Sequence, residues 1–301
     1  MPLFTRCDCE TVEFAFRVSE LDSIPCCEIP IVRHGTILGV QQAFIASIFA
    51  KVNELRLSPS RVNDFQNCPQ LYKYRAIDKL AEKPSLDAHR GTLVHTVLHD
   101  LFDSPPAKRT LETAIELLPS RWVTQLHESP ELQGLITSEK EWLDRAGSLL
   151  ETYFHLEKPE TFEATHREIH LECDLTEKLY LHGYVDRLDV APTGEVRIID
   201  YKTGKAPKPG WEEKALFQLR VYALLYWKRE GVLPKLLQLI YLGDGKLVKN
   251  SPTQKDLDAT ESTLISIAEQ IWSATDKDDW KPKPSRLCDW CSFKDICPAH
   301  Q

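Results

Sequence analysis

Apolar side chains return at helical spacing soon after residue 55. Leu57, Val62, Phe65 and Leu71 surround Ser58-Pro59-Ser60, where Ser58 has the chemistry of a helix cap and Pro59 that of a first helical residue. A second helix is predicted over Leu86–Phe102, with Leu93, Val97, Leu98 and Leu101 on one stripe and Ser104-Pro105-Pro106 as its stop. Leu111–Leu118, Arg121–His127 and Ser138–His155 read as an all-helical insertion over about residues 104–160. At Glu163 the period shortens to two. In Thr165–Leu175, Ile169, Leu171 and Cys173 alternate with Glu168, His170 and Glu172, which predicts a half-buried strand. Lys178–Val190 and Glu195–Tyr201 are two further strands, separated by the turn Pro192-Thr193-Gly194. Glu212–Arg229 is strongly helical. Leu236–Leu242 is an apolar strand, and Gly243-Asp244-Gly245 turns it back into Leu247–Lys249. A last helix begins at Ser251 or Thr253 and ends near Thr275.

Residues 1–54 differ. They hold two close cysteine pairs, Cys7/Cys9 and Cys26-Cys27, without clear periodicity apart from Gln41–Lys51. We expect a loosely ordered appendage there and a compact domain over 55–301. A chain of 301 residues with 42% hydrophobic and 27% charged positions has the composition of a soluble globular protein. No stretch reaches the roughly 18–20 apolar residues that cross a bilayer, so cytoplasmic residence and no membrane partner are the expectation. The net charge of -8 argues weakly against a polyanionic ligand, but charge distribution matters more than the total. Between Arg56 and Arg90 seven bases face four acids, and Lys202, Lys205 and Lys208 form a second basic run.

Candidate chemistry clusters in three places. Asp186 and Asp200 lie near the ends of adjacent predicted strands, where two carboxylates suit a hard divalent cation. Lys202 follows Asp200 by two residues and so shares its strand face. Metal plus ammonium is what phosphodiester hydrolysis needs: water activated, phosphate polarised and developing charge offset. An ordinary exposed Asp/Lys pair is the plain alternative. His95, in Arg90-Gly91-Thr92-Leu93-Val94-His95, offers an imidazole, and Glu168 a further carboxylate. Gln218 and Tyr222 stand four apart on one helix face, positioned to meet a nucleic-acid backbone or to orient Lys202.

The third cluster is cysteine. The chain has nine, an odd number unevenly placed, which favours metal ligation over a disulfide framework. Cys288-x2-Cys291-x5-Cys297-Pro298 has the look of an iron–sulfur ligand run, and Cys68-Pro69 is the candidate fourth ligand. Four thiolates equally suit Zn²⁺. Joining Cys68 to Cys288 closes a loop of about 220 residues, which by chain-entropy reasoning stabilises a fold by several kcal/mol. Cys173 is expected simply to be buried in its strand.

Taken together and in order, Ser58-Pro59-Ser60…Cys68-Pro69, Gly91-x3-His95, Gly183-Tyr184-Val185-Asp186, Ile199-Asp200-Tyr201-Lys202-Thr203-Gly204, Gln218-x3-Tyr222 and the terminal cysteines resemble the RecB-type branch of the PD-(D/E)xK nuclease superfamily. The closer likeness is to single-domain RecB-family exonucleases with an iron–sulfur cluster. The resemblance implies an α/β fold: a central mixed sheet, flanking helices, a helical insertion and a four-cysteine clasp. It implies a Mg²⁺ or Mn²⁺ site on His95, Asp186, Asp200 and the main-chain carbonyl of Tyr201, with Lys202 as the catalytic lysine. Glu168 matches an acidic position on the preceding strand, and Gln218 and Tyr222 the motif after the lysine. Cys68, Cys288, Cys291 and Cys297 would hold a 4Fe-4S cluster, with Zn²⁺ as the alternative. Val185 stands where the family name has proline. The expected activity is metal-dependent exonucleolytic hydrolysis of DNA, single strands favoured, in repair, recombination or processing. No Walker-type loop is present, so unwinding would fall to a separate helicase. The competing readings are a non-catalytic DNA-binding or assembly module and a zinc-clasped interaction protein.

Overall fold

A computed structural model describes residues 54–301. The appendage expected over 1–54 therefore lies, Glu54 apart, outside the described residues. Strand β1 (Leu55–Leu57) leads into α1 (Pro59–Asn67) and α2 (Pro69–Tyr72), the latter ending in a wide turn over Lys73–Ile77. Three longer helices follow: α3 (Leu86–Leu101), then α4 (Leu111–Glu128) and α5 (Glu139–Leu156) in the stretch expected as a helical insertion. Next come β2 (His166–Thr176), β3 (Leu179–Val190), β4 (Val196–Lys202), α6 (Glu213–Glu230), β5 (Leu236–Tyr241), β6 (Lys246–Asn250) and α7 (Gln254–Lys277). Caps form where the chemistry dictates. Ser58 and Thr253 accept from the backbone amides of the first turns of α1 and α7, and Gly231 closes α6 in the left-handed conformation.

The sheet is mixed, and it forks. β2 runs antiparallel along one edge of β3. The other edge of β3 is shared by two strands. β1 pairs with it in parallel only at residues 179–181, and β4 pairs antiparallel only at residues 187–190. Between them, among the described residues, no strand pairs with that edge over 182–186. β4 then runs parallel to β5, which β6 completes as an antiparallel hairpin. Both β1 and β4 direct their C-terminal ends into the gap.

Each face of the sheet has its own core. Leu181, Val185, Ile198, Leu237 and Leu239 pack with Leu219, Leu224 and Leu225 of α6 and Leu264 and Ile267 of α7. On the other face Ile199, Tyr201 and Ile240 pack against Leu93, Val97, Trp122, Trp142 and Leu150 of α3–α5. A strand covered on both faces reads as a continuous apolar run rather than as alternation. That is why Val196-Arg197-Ile198-Ile199 and Leu236–Leu242 carry so few polar residues.

Two details depart from the expectations. The predicted break between Leu111–Leu118 and Arg121–His127 is absent, because α4 runs through Pro119. Ala114, Leu118 and Trp122 lie on one buried stripe across the proline, while Pro119 itself is exposed. Packing along that stripe outweighs the lost amide hydrogen bond. β1, only three residues long, carried no periodic signal of its own. Among the described residues no helix is long and apolar enough to cross a membrane.

Candidate active site

The β3–β4 ladder ends at Arg187 opposite Ile199, one pair short of Asp186 and Asp200. The two carboxylates thus stand where the strands part. An amide released from a sheet must find another partner. Tyr201 N–H donates to Asp186 Oδ2 at 2.7 Å, which anchors the acid of one strand to the backbone of the other.

His95 reaches the same point from α3. Gly91, one turn earlier, lets that helix come close: a Cβ there would lie 3.3 Å from Thr203 Oγ1. His95 Nε2–H donates to the Tyr201 carbonyl at 3.1 Å, and Nδ1 lies 3.5 Å from Asp186 Oδ2. Glu168 comes from β2. Its alternation predicted a place beside His170 and Glu172, but its φ is +47°, a left-handed conformation that is costly for a residue with a side chain. Strain of this kind persists only where surrounding structure enforces it, and it collects at functional sites. The donor atoms of His95, Glu168 and Asp186 all lie within 4.8 Å of one another.

Asp200 is drawn toward the other side of the fork. Lys202 Nζ stands 2.7 Å from Asp200 Oδ2 and donates to Gln218 Oε1 at 3.0 Å. Gln218 Nε2 donates to Asp200 Oδ1 at 2.8 Å and to the Tyr222 hydroxyl at 3.0 Å. Gln218 therefore bridges the acid and the lysine, which fixes the orientation of both. Asp200 Oδ2 is buried and faces the lysine charge without an aligned hydrogen bond. That leaves lone pairs for a further cation.

The electrostatics point the same way. Burial, and then the neighbouring Asp200, pushes the Asp186 carboxyl well above the usual range. Burial also raises Glu168, with His99 opposing and Asp200 adding to the shift. Burial lowers His95, so its imidazole stays neutral and keeps a lone pair to offer. For Lys202 burial works against the charge, but Asp200 outweighs it and the ammonium is held more firmly than usual. Three crowded carboxylates and a neutral imidazole form a site that a divalent cation relieves, so the residues fit Mg²⁺ or Mn²⁺.

The side chain of Tyr201 is held by a group that drew no notice in the sequence. Arg187 is 1% exposed and donates to the Tyr201 hydroxyl at 2.6 Å. It also meets Glu157 at 2.8 Å and Asp189 at 3.1 Å, and Arg197 contacts the same two acids. An arginine within a strand otherwise rich in buried positions was the available signal.

Gly183 holds the other wall. A Cβ there would lie 2.8 Å from Tyr222 Cε1 and 3.4 Å from Pro59 Cδ. Tyr222 is 6% exposed and has little room to yield. Gly183→Ala is expected to cost about 1–3 kcal/mol by overpacking and to loosen Gln218 from Lys202. A chemical-denaturation midpoint equal to the parent's would show that the ring moves freely.

A groove of about 900 Å³ opens onto Lys202, Gln218 and Tyr222. Arg56, Ser58, Ser60, Arg61 and Lys214 line it. Away from this groove, Cys68, Cys288, Cys291 and Cys297 line one cavity of about 50 Å³. Lys283 N–H donates to Cys68 Sγ at 3.3 Å and Ser285 N–H to Cys288 Sγ at 3.4 Å. Cys173 is half-buried in β2, its thiol pushed up to about 11 by burial.

The chain is 29% identical over 276 residues to the gene 69 protein of Mycobacterium phage D29, covering 80% of this chain and 96% of that protein. The gene 69 protein of Mycobacterium phage L5 is 25% identical over 289 residues, with the same coverages. Among solved structures, a candidate exonuclease from Eubacterium rectale shares the fold at a TM-score of 0.54 and 13% identity, over 80% of this chain and 89% of that one. Residues 56–298 match the profile of the PD-(D/E)XK nuclease superfamily, and that span takes in both the forked sheet and the carboxylate–lysine cluster. The chain belongs to the PD-(D/E)XK nuclease superfamily.

Proposed function

We propose that this protein is a metal-dependent DNA exonuclease of the RecB type that acts on single strands. The observation that carries the reading is the meeting of Asp186, Asp200, Lys202 and Gln218 at the fork, at the head of a groove with basic walls. Mg²⁺ or Mn²⁺, held by Asp186, Asp200, His95, the Tyr201 carbonyl and Glu168, would supply Lewis acidity and an activated water. The chain's own residues do the rest. Lys202 places a fixed positive charge where charge develops on the phosphate. Gln218, braced by Tyr222, bonds both that ammonium and Asp200 and so fixes the ion pair they form. Arg187 holds Tyr201, and through it the carbonyl that faces His95.

The four-cysteine cavity supports a 4Fe-4S clasp as part of the same reading. Tetrahedral zinc draws four sulfurs to about 3.8 Å of one another, given Zn–S bonds of about 2.3 Å. Among the described residues the group of donors within 4.8 Å of one another is His95, Glu168 and Asp186, not the cysteines. The cavity that the cysteines line together with Leu71, Tyr74 and Leu287 measures about 50 Å³, more than the ~10–15 Å³ one water-sized atom needs. A multi-atom cluster fits a cavity of that size better than a single ion. By joining Cys68 to the C-terminal run, the clasp would tie α2 to the end of the chain and brace the groove wall.

The test uses full-length protein purified anaerobically. With Mn²⁺ it should release nucleotides from linear single-stranded DNA and leave closed single-stranded circles intact. Metal analysis should find about four irons per chain for a 4Fe-4S cluster. Digestion of circles would replace the exonuclease reading with an endonuclease, and zinc without iron would retire the cluster.

A further inference from the structure

The face of β3 turned away from α6 presents Tyr180, His182 and Tyr184 at alternate positions, and Asp186 stands two residues beyond. His170 of β2 is directly opposite Tyr184 and stacks on it, ring centroids 4.6 Å apart and planes 30° from parallel. His182 lies 5.7 Å from His170 and 6.0 Å from Tyr180. The Arg56 guanidinium caps the series 4.2 Å above Tyr180. The row reaches the mouth of the groove, because His182 and Tyr184 are themselves part of its wall.

Cross-strand ring pairs of this kind commonly do no more than stabilise a sheet. Three observations ask for more here. Tyr184 is 57% exposed although His170 supports one of its faces, so the other is offered to solvent. No carboxylate is among the described residues that line the groove, although two of its bases are paired, Lys202 with Asp200 and Arg61 with Asp64. On the ring-bearing face, Glu172 is engaged by the Tyr180 hydroxyl and lies 3.4 Å from His170 Nδ1. Alternate residues on a strand are about 6.8 Å apart, roughly twice the 3.4 Å step along one strand of duplex DNA. Rings so spaced suit bases drawn apart from one another, not a stacked duplex.

We propose that Tyr184, backed by His170, and His182 form a stacking rail for the bases of a single DNA strand led toward Asp186, while Arg56, Arg61 and Lys214 hold its phosphates. The rail rests on the nuclease reading and names how that site selects an unpaired strand. Base stacking on aromatic rings tolerates any sequence, as a non-specific exonuclease requires.

The test measures fluorescence anisotropy of a labelled oligothymidylate with the full-length protein in EDTA, where metal-dependent cutting is stopped. Tyr184→Ala should weaken binding by about 5- to 150-fold, the range for one lost stacking partner. Tyr184→Phe should bind as the parent does. An abasic strand of equal length should bind the parent and Tyr184→Ala alike, since only phosphates remain to be held. Parental affinity of Tyr184→Ala for oligothymidylate overturns the rail. So does an equal loss toward the abasic strand, or a parent protein that does not bind the oligothymidylate. Digestion with Mn²⁺ is scored separately: a parent that binds through Tyr184 yet releases no nucleotides leaves the rail standing and removes the exonuclease.

Discussion

Lys202→Ala is expected to slow Mn²⁺-dependent hydrolysis of single-stranded DNA by about 10²–10³-fold, the cost of removing one fixed stabiliser of transition-state charge. The ammonium sits 2.7 Å from Asp200 and is held by Gln218, so little solvent reorganisation is needed when charge builds on the phosphate. Its loss should not abolish metal binding. The lysine competes with a divalent ion for the Asp200 oxygen, so removing it leaves the carboxylates more negative and at least as ready to hold Mn²⁺. Asp186→Asn should do the reverse, weakening the metal site and leaving Tyr201 N–H only a neutral acceptor. Thermal denaturation with and without Mn²⁺ separates the two. A bound ion at about 100 times its dissociation constant adds about 2.7 kcal/mol, and that increment should survive Lys202→Ala and shrink in Asp186→Asn. Parental cutting by Lys202→Ala would remove the lysine from the mechanism.

Arg187→Ala should destabilise the fold by about 3–5 kcal/mol, the range for breaking a buried ion pair on one side. Arg187 is 1% exposed, and its acid partners Glu157 and Asp189 are also largely shielded from water. Two arginines and two carboxylates balance in this cluster. Removing one arginine leaves a buried negative charge that Arg197 alone must answer. For a domain of this size each kcal/mol corresponds to about 2–4 °C in melting temperature, so a fall of about 6–20 °C is expected. The double substitution Arg187→Met with Glu157→Gln should recover part of it, because the uncompensated charge is then gone. Activity should remain depressed in the double variant, since the Tyr201 hydroxyl has lost its 2.6 Å donor. Equal stability of Arg187→Ala and the parent would show that the cluster contributes nothing net.

The reach of the sequence can be judged residue by residue. The twofold period after Glu163, the turn at Pro192-Thr193-Gly194 and the apolar run at Leu236–Leu242 are local signals, and strands β2–β5 formed where those signals lay. The spacing of Asp200 and Lys202 put both on one strand face, and the i, i+4 spacing of Gln218 and Tyr222 put both on one helix face; Gln218 then met Asp200 and Lys202. The four cysteines, 229 residues apart at their extremes, share one cavity. Periodicity and spacing are properties of the chain's own geometry, and no knowledge of neighbours is needed to read them.

The rest depended on neighbours. Nothing local in Thr165–Leu175 marks Glu168 for a left-handed backbone, because that conformation exists only under the constraint of the surrounding sheet and α3. α4 continues through Pro119 because the stripe on either side finds a core to enter, which a local rule about proline cannot foresee. Arg187 is buried because Glu157, 30 residues earlier, is folded against it. The gap at 182–186 arises because β1 and β4 share one edge of β3 and neither covers all of it. The chain's own order of residues thus determined which side chains share a face and which chemistry they bring. Tertiary structure alone decided where the strands part, and so where that chemistry gathers, because strand pairing is set by long-range packing that no single segment encodes.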